Sequence, residues 1–154
     1  MAADVAALPF IDEHHVLVSA STDDVWRHMG AAIRQPRLFS HVAAYLLGAV
    51  PRRANGDPLT SGAALPGFTV RDAVSGDHLV LAGRHRFSEY ALIVTLAGWP
   101  SGTRLSARTY ARFPGLRGRL YRTLVLSSGA HRLLLTRLLR TVRRAAEADA
   151  STGP

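Results

Sequence analysis

The chain has 154 residues, with no cysteine and no lysine among them. Without thiols it cannot build a disulfide framework, a cysteine-ligated zinc site or a thiol nucleophile. No uninterrupted apolar run approaches the length needed to cross a bilayer. The opening MAADVAALPFIDEHH has neither a basic leader nor a long apolar stretch, so a cytoplasmic location is expected. HExxH, P-loop, GxGxxG and Gly-x-Ser-x-Gly sequences are missing, which removes the usual motifs of zinc hydrolysis, phosphate cradling, dinucleotide binding and serine hydrolysis. His14 and His15 are neighbours on a strand-like segment and must point to opposite faces, so they do not make a metal pair. Neither a metal nor a cofactor is expected.

What is present is ordinary globular material, 47% apolar and 7% aromatic. At this length one domain is expected, over residues 1–148, with 149–154 as a flexible tail. The net charge is +8, and every one of the 19 basic residues is arginine. That bias, alongside abundant Ala, Gly and Pro, fits GC-rich coding better than a dedicated anionic partner. Nucleic acid is not expected, because no aromatics interleave with the arginines to form a stacking platform.

The elements read in a definite order. Phe10–Ser19 has the alternation of a first strand. Ser21 and Asp24 then form a capping-box pattern ahead of a helix carrying Val25, Trp26, Met29 and Ile33, which stops before Pro36. A second short helix is expected over Leu38–Leu47. Pro51–Gly67 is rich in turn formers and reads as loop or short edge strands. Four strands follow with short turns, Phe68–Val74, Asp77–Phe87, Ser88–Ala97 and Thr103–Phe113, which predicts an antiparallel meander. From Pro114 to Glu147 the period turns helical. One apolar arc holds Leu120, Tyr121, Leu124, Leu134, Leu135, Leu138, Leu139 and Val142, with His131 in its middle. Arg137, Arg140 and Arg144 fall opposite, and Ser127–Gly129 is a place for a kink. The result is an α+β domain whose sheet needs the last helix as cover.

Two stretches carry a resemblance: VSASTDDVWRHM, a strand running into a helix with Val-Trp, and GTRLSARTYARFPG, a last strand running into a long helix. Through these and its element order the chain resembles the START/Bet v 1-like (SRPBCC) superfamily, including polyketide cyclase/dehydrase-like proteins. The resemblance implies a helix-grip fold of β-α-α-β-meander-α order, a curved antiparallel sheet wrapped around the C-terminal helix. Such sheets are usually seven-stranded, so two further strands would lie in Ala49–Pro66. It also implies a cavity between sheet and helix that holds an apolar or amphipathic ligand.

Strand parity selects the residues that would face such a cavity. Leu81, His85 and Phe87 share one parity, Tyr90 and Leu92 another, and Thr109 and Phe113 a third. Tyr121, Leu124 and His131 would meet them from the helix. His85 and His131 then either orient a ligand or satisfy hydrogen bonds within the core. Acid/base catalysis by His85, in the manner of the cyclases, is the enzyme alternative. No inward carboxylate is expected to orient its ring: Glu89 has outward parity and Asp72 is ambiguous. A third alternative is a lipid carrier that rests the basic face of RLLLTRLLRTVRR on an anionic membrane. Against it, the apolar side of that helix is needed to cover the sheet, and a homodimer is left open.

Overall fold

Alternating side chains make the sheet, and their register decides which of them reach the interior. The computed structural model describes residues 5, 7–35 and 48–152. The strands are β1 (Phe10–Val18), β2 (Ala64–Leu65), β3 (Phe68–Val74), β4 (His78–His85), β5 (Ser88–Trp99) and β6 (Gly102–Arg112). They form one antiparallel sheet of six strands in the order β1-β6-β5-β4-β3-β2. Of the two strands sought in Ala49–Pro66, the described residues show β2, supplemented by isolated bridges from Val50 to Arg84 and from Asn55 to Ala64. The helices are α1 (Thr22–Ile33), α2 (Gly115–Ser127) and α3 (Ala130–Thr152). The helix expected over Leu38–Leu47 lies outside the described residues.

Helix α1 starts as its capping pattern requires. The Asp24 N–H donates to Ser21 Oγ at 3.2 Å, and the Ser21 hydroxyl donates to the Asp24 carboxylate at 2.7 Å. Its apolar stripe of Val25, Trp26, Met29 and Ile33 is buried. The sheet presents Leu79, Leu81, Val94 and Leu105 from one face, all within 2% of complete burial. Helix α3 covers them with Leu135, Leu138, Leu139 and Val142, each buried side chain contributing roughly 1.5–3 kcal/mol. The architecture is α+β and helix-grip. Among the described residues no helix is long and apolar enough to cross a membrane.

The long C-terminal helix is present as α3, and at the Ser127–Gly129 kink the helical segment breaks fully, leaving α2 ahead of it, because Gly129 takes a left-handed φ of 70°. The Ser128 hydroxyl then accepts from the Ala130 N–H at 3.4 Å, starting α3 afresh. Helix α3 runs on through Thr152, so residues 149–152 are helical where a tail was expected. Asp149 is tied there by Arg27 at 2.9 Å and His28 at 3.2 Å.

Candidate functional site

A cavity of about 490 Å³ lies between the sheet and helices α2 and α3. Its walls are mostly apolar, with polar groups gathered around two histidines. The register explains the sheet side: Gly83 pairs with Tyr90, Tyr90 with Ala111, and Leu92 with Thr109, so these inward residues align across β4, β5 and β6.

The first polar group sits at the β4–β5 hairpin. The Phe87 N–H donates to His85 Nδ1 at 3.1 Å, which fixes that nitrogen as the unprotonated one. The proton of the neutral ring is therefore on Nε2, 3.0 Å from Ser88 Oγ. Burial lowers the His85 pKa, so the ring is neutral at pH 7. Tyr121 meets it edge-on at 4.8 Å between ring centres, Tyr90 lies 5.5 Å away, and Phe87 stacks on Tyr121 at 5.4 Å. The Tyr90 hydroxyl donates to the Gly67 carbonyl at 2.6 Å. That bond requires a glycine at position 83, where a Cβ would stand 1.9 Å from Gly67 O and 2.8 Å from the Tyr90 ring. Burial raises the pKa of both tyrosines, with Tyr121 adding to the rise at Tyr90. Both stay neutral.

The second polar group joins three elements. His131, in the first turn of α3, places Nε2 3.1 Å from Thr109 Oγ1 on β6 and 3.4 Å from Asp12 Oδ1 on β1. The other Asp12 oxygen lies 3.1 Å from His14 Nε2. Burial pushes the Asp12 carboxyl up. The facing His131 charge and hydrogen bonds from His14, Thr109 and His131 outweigh burial, and hold the group below its ordinary value. An ionised carboxylate only accepts, so Nε2 of His131 carries a proton. An inward carboxylate therefore does exist, against expectation. Asp12 pairs with Thr109, His14 with Ala107 and Val16 with Leu105, so β1 turns its Asp12-His14-Val16-Val18 parity inward. A bulge between Phe10 and Asp12 brings Ile11 to the cavity as well. Asp72 resolves outward, 3.1 Å from the exposed-side His78.

Of the residues selected from the sequence, His85, Tyr90, Leu92, Thr109, Phe113, Tyr121 and His131 line the cavity. Three do not. Leu81 is packed into the core at 1% exposure. Phe87 lies past the end of β4, in the turn, where strand parity no longer applies. Leu124 faces water at 63% exposure, because the break at Gly129 rotates α2 so that Tyr121, Val125 and Leu126 turn inward instead. Asp12, Val125 and Leu126 were missed. The β1 alternation was the signal for Asp12, and the spacing from Gly118 to Tyr121 and Val125 was the signal for the helix face.

The fold is helix-grip, an antiparallel sheet closed by a long C-terminal helix with a cavity between them. No protein-family model and no curated protein sequence matches the chain. Solved structures do. The di-domain ARO/CYC StfQ of the steffimycin biosynthetic pathway is similar at a TM-score of 0.59 and 17% identity, over 98% of this chain and 55% of that one. The chain thus spans about half of StfQ. An uncharacterised Rhizobium leguminosarum protein is similar at 0.58 and 15% identity, over 86% and 93% of the two chains. A Mesorhizobium loti protein is similar at 0.55 and 14% identity, over 93% and 98%. At such identities the likeness is one of fold.

Proposed function

We propose that this chain is a START/Bet v 1-like binding protein that holds a small, mostly apolar molecule between its sheet and helices α2 and α3. The observation that carries this reading is a cavity of about 490 Å³ with apolar walls and a few fixed polar groups, the composition of a small-molecule site. His85 takes part as a wall and as the organiser of its hairpin, since both of its nitrogens have partners there. Native mass spectrometry of the purified protein, followed by solvent extraction, tests the reading. A bound species of a few hundred daltons is expected, displaced in a Leu92→Trp variant that fills the cavity. Binding of neither a cellular molecule nor an added apolar dye would overturn it.

A second reading is a polyketide cyclase/aromatase-like enzyme. The oriented His131–Asp12 pair favours it, because a base needs a fixed ring and a partner that stabilises its charged form. In that case His131 Nδ1, rather than His85, would take a proton alpha to a carbonyl, leaving the electron pair as an enolate. The StfQ likeness supports the same class at the level of fold. Turnover of a poly-β-ketone surrogate that survives His85→Gln and disappears in His131→Gln would support it.

A further inference from the structure

The chain carries 19 arginines, yet among the described residues no arginine lines the cavity, and neither does any aspartate or glutamate. The ionisable groups among the described residues that reach it are two tyrosines and two histidines. Tyr90 has spent its hydroxyl proton on Gly67 and His85 its Nε2 proton on Ser88. His131 is backed by a carboxylate 3.4 Å away, so any positive charge on its ring is already matched. An anion entering here would lose its water and find no unmatched cation among the described residues. A hydroxyl or carbonyl would find neutral partners: the hydroxyl of Ser88, and the Tyr121 hydroxyl, which has no hydrogen-bond partner among the described residues. The aromatic group of Phe68, Tyr90, His85 and Tyr121, with ring centres 4.8 to 5.5 Å apart, offers edges and faces to a planar ring.

We propose that the cavity selects uncharged ring molecules bearing a hydroxyl or carbonyl, and that Asp12, set behind His131, turns carboxylates away. This rests on the reading of the cavity as a binding site. It makes the charge of the ligand, as well as its greasiness, the selected property.

The test compares three probes of one shape on the intact protein at pH 7.5 by isothermal titration calorimetry: 2-naphthol, 2-naphthoate and 2-naphthylmethylamine. Naphthol is expected to bind at least tenfold more tightly than naphthoate. The ammonium probe should fall between them, because Asp12 opposes an anion and not a cation. Asp12→Asn should narrow the naphthol-to-naphthoate affinity ratio severalfold. Naphthoate binding as well as naphthol in the wild type overturns the selection. Equal rejection of both ions assigns the effect to desolvation and overturns the role of Asp12, a readout that holds even where Asp12→Asn does not fold. Binding of none of the three overturns the cavity reading itself, and the selection with it.

Discussion

Helices α2 and α3 follow one another in sequence and wall the same cavity, but they are held in different ways. Helix α3 buries Leu135, Leu138, Leu139, Val142 and Ala146, none more than 5% exposed. Helix α2 buries Gly118 alone and leaves Leu116, Leu120 and Leu124 at 78%, 64% and 63% exposure. One is fastened by its leucines. The other is fastened by a glycine that lets its backbone approach Phe113 and Phe87, and by the ring contacts of Tyr121. Its start at Pro114 has no side-chain cap. Burial thus assigns stability to α3, and leaves α2 as a lightly held wall.

Substitutions can break or sharpen that contrast. Leu139→Ala, in α3, should remove about 2–5 kcal/mol of stability, read from the urea midpoint. Gly118→Ala sets a methyl 2.7 Å from the Phe113 carbonyl carbon, an overpacking that costs about 1–3 kcal/mol. It should displace α2, and probe binding should fall further than the melting temperature suggests. Acid should act on the α2 side first. The folded His85 pKa lies below the unfolded value of 6.5, so above that pH the ring is neutral in both states. As pH falls below 6.5 the unfolded chain takes the proton first, and stability drops until the folded pKa is passed. His85→Gln should flatten this slope, and hydrogen exchange at low pH should rise in α2 before α3. His78, raised chiefly by its hydrogen bond to Asp77 and then by that to Asp72, works in the opposite sense. Its contribution is present below 6.5 and fades as pH rises through its folded value, and it stays small because the group is exposed. The smallest effect is expected for Leu120→Ser, within about 0.5 kcal/mol by thermal melting. A large loss there would mean that α2 is fastened by its leucines after all.

The same contrast explains what the sequence could tell. Strand parity placed Leu79, Leu92, Leu105 and Thr109 correctly, because a period of two survives wherever a ladder is regular. It failed at Phe87, one step into a turn, and it did not settle β1, where Ile11 and Leu17 compete with Val16 and Val18 for the apolar side. Asp12 was hidden by that tie. Helical period placed the α3 leucines, whose stripe is continuous. It misplaced Leu124, since α2 is apolar on two sides and a periodicity argument carried across Gly129 inherits the wrong phase. The pairing of His131 with Asp12 joins positions at opposite ends of the chain, and no local pattern contains it.

Gly129 has one more consequence. A continuous helix would couple every residue that faces the interior to the leucines that hold the molecule folded. With the joint there, and with α3 anchored at its far end through Asp149 and Glu147 to the α1 side, the thirteen residues of Gly115–Ser127 are fastened apart from Leu139 and Val142. Shifting a wall of the cavity and losing the native state then become separate events, with separate energies.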